Sequence, residues 1–221
     1  MAGRAGDARS ASEMVGIDPL ADEELLDRLV HDLRNPLGVI AYFAEVVGGA
    51  TALEREELCE RLRINAQRAL HILEEFSLLA ELRNGACRPA LESYDVSELT
   101  KQLTAEVESV ERRPAQIRCH LDAPSPMRLP RQHLACVLRA LLRAALRVSA
   151  RDGGLELRVR NDGRQMAFAI QGFVRLESAG LPEAAVELEL TERMADLYRG
   201  RCAVELHGSR VVITLSLPGT G

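Results

Sequence analysis

Two long stretches of helical periodicity, joined by "GGAT", limit this chain more than any other feature of its sequence. The first covers residues 22–47 and the second residues 53–82, with the glycines between them suited to a helix stop and a tight turn. Two long helices with so short a connection predict an antiparallel hairpin. At about 100° per residue, Leu26, Leu29, Leu33, Leu37, Ile40, Ala44 and Val47 fall within an arc of roughly 80°. The second helix has a matching seam in Leu58, Leu62, Ala66, Leu70, Leu73, Phe76 and Leu79. A hairpin of this length cannot bury both seams alone. Pairing two copies into a four-helix bundle would do so, and a homodimer is expected.

Beyond Pro89 the pattern changes. "DVSE" predicts a capped helix, with Asp95 as the cap and Glu98 three residues on, running to about Arg112. "QIRCHLD" alternates as a strand does. "LPRQHLACVLRALLRAALRVSA" reads as a helix with Pro130 in its first turn. "LELRVRNDGRQMAFAI" predicts a hairpin that points Leu155, Leu157, Val159, Met166, Phe168 and Ile170 to one side. "LPEAAVELELTERMADLYRG" predicts a helix, with Pro182 near its start and Gly200 at its stop; its acidic face is either solvated or a docking surface. "RCAVELHGSRVVITLSLP" is a second hairpin. The order α-β-α-β-β-α-β-β predicts a mixed sheet with helices on one face. Three segments result: a flexible lead-in over 1–20, a helical hairpin over 21–88 and an α/β sandwich over 89–221.

Composition removes several function classes. The formal net charge is −5, against a broad nucleic-acid footprint. Lys101 is the only lysine, so a G-x-x-x-x-G-K phosphate loop is excluded. The five cysteines, Cys59, Cys87, Cys119, Cys136 and Cys202, lack C-x-x-C spacing, which predicts reduced thiols and no zinc site. No stretch has the apolar length of a membrane span, and the N-terminus lacks the apolar core of a signal peptide. A cytoplasmic location is expected.

The chemistry concentrates in "HDLRNPL". His31 lies about 160° from the centre of the first apolar seam, so it is expected in water, with Asn35, Gly38 and Tyr42 on the same stripe. A neutral imidazole on a wet helix face offers a nucleophilic nitrogen. Asp32 is suited to hold the proton of the other ring nitrogen, Asn35 can position a water or phosphoryl oxygen, and Pro36 can bend the helix beside the site. His71, His120, His133 and His207 sit on separate elements without ligand spacing and are expected to be structural.

The string "HDLRNPL" resembles the phospho-accepting box of sensor histidine kinases, H-[ED]-[LIF]-[RK]-[NTS]-P-[LV], at every position. The resemblance extends from about Leu25 to Pro218: a dimerisation and histidine-phosphotransfer hairpin followed by an α/β sandwich of the histidine-kinase ATPase type, α+β overall. It implies His31 as the phospho-acceptor, Asp32 as its acid/base partner and Asn35 as an orienter of hydrolytic water. It further implies Arg34, Gly38 and Tyr42 as partner-binding positions.

The sandwich departs from the family's ATP site. "ALLRAALRVS" keeps the apolar spacing of the family's asparagine-bearing helix, but Ala140 and Ala144 stand at the asparagine positions, and a methyl group cannot bind magnesium. No D-x-G-x-G turn is found, whether "NDGRQM" with Asn161 and Gln165 is its counterpart or Gln171, Gly172 and Phe173 are. In the last helix Ala185 and Glu187 replace phosphate-binding glycines, with Glu183 and Glu189 adding negative charge where a triphosphate would lie. These departures resemble the histidine phosphotransferases of phosphorelays, which take a phosphoryl group from one receiver aspartate and pass it to another. The chain itself is then expected to hold no cofactor, with Mg²⁺ supplied by the receiver. Its partners would be response-regulator receiver domains, a hybrid histidine kinase and a second copy of the chain. Three alternatives stay open: a pseudokinase-type regulator acting by binding, a histidine kinase with a divergent ATP site, and a phosphatase acting through Asn35.

Overall fold

The computed structural model describes residues 20–88, 90–111, 117–121, 126–149, 154–173, 184–207 and 209–219. The expectations for the lead-in over 1–19 and for Pro89, Arg112, Pro182 and Glu183 lie outside these residues. The hairpin forms as expected. Helix α1 (Asp22–Val46) passes through a 3-10 turn (Val47–Gly49) into α2 (Ala52–Arg83). Thr51 opens α2 with a reciprocal cap: Glu54 accepts from the Thr51 N–H at 2.9 Å while the Thr51 hydroxyl accepts from the Glu54 N–H.

The sandwich follows as β1 (Glu92–Asp95), α3 (Val96–Glu111), β2 (Ile117–Leu121), β3 (Pro126–Leu129), α4 (Arg131–Val148), β4 (Leu155–Asn161), β5 (Gln165–Phe173), α5 (Ala185–Leu197), β6 (Arg201–His207) and β7 (Arg210–Pro218). Asp95 caps α3 by accepting from the Ser97 N–H at 2.8 Å. Five strands form one sheet in the order β2-β4-β5-β7-β6, with β2 parallel to β4 and the other neighbours antiparallel. Both expected hairpins are present. The small β1–β3 pair was not legible, because each strand has only four residues and their partnership spans a whole helix.

Alternation sends Leu155, Leu157, Val159, Met166, Phe168, Ile170, Val211, Ile213, Leu215 and Leu217 to one face of the sheet, where the helices cover them. Helix α4 is buried along most of its length. The lower half of α2 joins the same core through Ile72, Phe76 and Leu79. Hairpin and sandwich therefore share one apolar interior rather than meeting as separate units.

Within one chain the seams are only partly buried, as expected of a single hairpin: Leu29, Leu33 and Ile40 are half-buried, while Leu26, Leu37, Ala44, Ala66, Leu70 and Leu73 stay exposed. The residue that α1 buries fully is Pro36. At the end of α5 the left-handed backbone belongs to Arg199 (φ 56°). Gly200 is needed there because a β-carbon would collide with the Ser216 carbonyl oxygen. One expectation needs correction: the acidic residues Glu187 and Glu189 of α5 are neither a solvated face nor a docking surface; both are buried.

Candidate functional site

His31 projects from the middle of α1 with its side chain 76 % exposed, as the helical angle requires. Its Nδ1 lies 3.1 Å from Asp32 Oδ1. A carboxylate can only accept, so Nδ1 carries the proton, and in the neutral ring the lone pair is on Nε2. Asp32 itself is largely buried, and its other oxygen accepts from Arg28 Nε at 3.2 Å. Arg34, Asn35, Gly38 and Tyr42 are all exposed along α1 around His31. His31 also borders a cleft of about 340 Å³ between α1 and the first turn of α5, lined by Leu20, Glu24, Asp27, Arg28, Ala185 and Val186. Helix α1 at His31 and the first turn of α5 thus line one cleft.

Behind that cleft the surface is closed. Ala140 and Ala144 are fully buried, and Ala185 and Glu187 nearly so. Arg139, Arg143 and Arg147 recur every fourth residue on α4 and form a column of guanidinium groups facing carboxylates from three other helices. Arg143 binds Glu75 of α2 at 3.0 Å and Glu187 of α5 at 3.4 Å, while Arg147 reaches Glu187 at 2.7 Å. Burial works against the charge of Arg143, yet Glu75, Glu187, Glu111 and Asp32 hold its pKa above the ordinary value. Burial pushes Glu75 up to about 8, against the pull of Arg143 and with help from Glu187.

A second ionic group ties the ends of the helices. Arg83, at the end of α2, grips Glu189 with two nitrogens at 2.9 and 2.6 Å, and also bonds Asp22 and the Leu20 carbonyl at the start of α1. Burial alone would raise Glu189, but the hydrogen bonds from Arg83 and Arg193 hold it below the usual carboxylate range. His71 proves structural as expected: it is buried on α2 with Nε2 2.7 Å from Glu106 of α3.

Sequence reasoning passed over Arg28, Glu75, Arg83 and Arg143. Two of them left a signal. Arg28 is four residues before Asp32, a helical pairing distance. Arg143 interrupts an otherwise apolar run, and a charge in such a run needs a buried partner.

Residues 21–85 match the His Kinase A (phospho-acceptor) domain. No curated protein matches the chain in sequence. Among solved structures, the chain is similar to the Acinetobacter baumannii histidine kinase AdeS, with 17% identity over 86% of this chain and 98% of that one, at a TM-score of 0.58. It is also similar to full-length ShkA in complex with AMPPNP (19% identity, 91% of this chain, 47% of that one, TM-score 0.56). A bacterial phosphotransferase is a third such structure (16% identity, 89% of this chain, 97% of that one, TM-score 0.51). The chain has a histidine-kinase-like fold: a helical hairpin that matches the phospho-acceptor domain, followed by an ATPase-like α/β domain. Among the described residues no helix is long and apolar enough to cross a membrane.

Proposed function

We propose that the chain is a histidine phosphotransferase that relays phosphoryl groups between receiver aspartates through His31, without binding ATP. The hairpin over 21–88 is the phosphotransfer unit and the sandwich over 89–221 a degenerate ATPase domain. The Nε2 lone pair of His31 attacks the phosphorus of an aspartyl phosphate. The N–P bond forms as the P–O bond to the aspartyl oxygen breaks, and the receiver's carboxylate leaves. Asp32 balances the positive charge that develops on the ring, keeping the proton on Nδ1. The reverse step delivers the phosphoryl group to a second receiver. Donor and acceptor are both high-energy phosphates, so alignment is the main requirement, and the receiver's acidic pocket supplies Mg²⁺. Receivers dock along Arg34, Asn35, Gly38 and Tyr42.

One observation carries the ATP-independent reading: Glu187 is buried between α2, α4 and α5 and paired with Arg143 and Arg147. Two guanidinium groups at Glu187 oppose a magnesium ion there, and the methyl side chains of Ala140 and Ala144 offer it no ligand. A homodimer supplies the missing cover for Leu26, Val30 and Leu37 of α1 and for Leu70 and Leu73 of α2, all exposed in the single chain.

The test has two arms on purified protein. Labelled ATP with magnesium alone is expected to leave the chain unlabelled. A phosphorylated receiver is expected to label it, and His31→Ala to abolish that label. Incorporation from ATP at His31 would instead establish a histidine kinase with a divergent site, a reading favoured by the fold shared with ShkA. If His31→Ala leaves signalling in cells intact, the chain acts by binding alone.

A further inference from the structure

We propose that Arg28 fixes the tautomer of His31 through Asp32, making it a positioning residue for phosphotransfer; the second half of that statement rests on the function proposed above. Arg28, His31 and Asp32 occupy one turn of α1. Arg28 Nε donates to Asp32 Oδ2 at 3.2 Å, and His31 Nδ1 donates to Asp32 Oδ1 at 3.1 Å. With both oxygens engaged, the carboxylate cannot turn about its Cβ–Cγ bond without losing one contact. An i,i+4 pair on an open helix is usually worth little. This one differs because its carboxylate is only 14 % exposed and has a second partner in His31. Arg28 and His31 both line the cleft closed by Ala185 and Val186, so the sandwich backs the guanidinium while the imidazole stays in water. Unclamped, Asp32 could swing from Nδ1, and the ring would exchange between tautomers. In the Nε2–H form the outward nitrogen carries a proton and cannot attack phosphorus. Outer groups that orient an imidazole in this way contribute about 10–100-fold where they have been removed.

The experiment uses the full chain labelled with ¹⁵N, as wild type, Arg28→Met and Arg28→Lys. Histidine ¹⁵N shifts report the tautomer of His31 without any phosphoryl donor. The wild type is expected to hold the Nδ1–H form. Arg28→Met is expected to move the ring to a mixture, with transfer from a phosphorylated receiver slowed about tenfold and receiver affinity unchanged. Arg28→Lys, which keeps a donor near Asp32, is expected to restore part of both. An Arg28→Met spectrum with the wild-type tautomer overturns the proposal even if transfer slows. A wild-type chain that no receiver labels, with a tautomer that still depends on Arg28, supports the clamp and defeats the phosphotransferase reading instead.

Discussion

A buried carboxyl among competing charges makes one contribution to this protein's response to pH. Glu75 is 1 % exposed, faces Arg143 at 3.0 Å and also feels Glu187, Arg139 and Arg147. Its folded-state pKa, pushed up to about 8, lies above the value of an unfolded chain. Between the ordinary carboxylate range and pH 8 the folded state therefore binds more proton than the unfolded state, and stability falls as pH rises. The expected slope is at most roughly 1 kcal/mol per pH unit. Glu75→Gln should flatten it, as read by urea denaturation at a series of pH values. A variant as pH-dependent as the wild type would show that Glu75 stays ionised throughout. Arg143 is the more damaging site. Arg143→Met leaves Glu75 without its guanidinium and Glu187 with Arg147 alone, a cost of about 3–5 kcal/mol. The denaturation midpoint measures it directly.

Helices α1 and α2 have two different faces to satisfy. One meets the sandwich through Leu25, Leu29, Leu33, Ile72, Phe76 and Leu79. The other leaves the large apolar side chains of Leu26, Val30, Leu37, Leu70 and Leu73 open to water. Leu26→Glu with Leu70→Glu is expected to convert a dimer to a folded monomer, checked by light scattering for mass and circular dichroism for helix content. A wild-type chain that is monomeric at micromolar concentration would remove the bundle from the proposal. Helix α5 shows the converse arrangement: Glu187 and Glu189 face inward, where Arg83, Arg143 and Arg147 meet them.

Across the whole molecule, hairpin and sandwich are bound by a shared core and by ion pairs on either side of it. Arg68 pairs with Glu111, Arg139 with Glu74, Arg143 with Glu75 and Arg83 with Glu189. This predicts one cooperative unfolding unit. Hydrogen exchange should protect the lower half of α2 as strongly as β5 and β7, while the hairpin tip near Val47–Gly49 exchanges first. Leu79→Ala, in a hairpin helix but fully buried, should lower the stability of the entire chain by about 2–5 kcal/mol. Loss of α2 protection alone would mean that the two parts unfold separately.

Much of this was readable from local pattern. The helical period, the turn glycines and the alternation of the strands set the hairpin, both β-hairpins and the exposure of His31, because each depends on residues a few positions apart. "HDLRNPL" set the neighbourhood of His31, Asp32 and Asn35 on one helix turn for the same reason. The β1–β3 pair, the inward turn of Glu187 and Glu189, and the clasp of Arg83 on Glu189 and the start of α1 were decided only in three dimensions. A charged residue looks the same in sequence whether water or a buried arginine solvates it. Which one does so depends on partners up to 106 positions away, and only the assembled core brings them together.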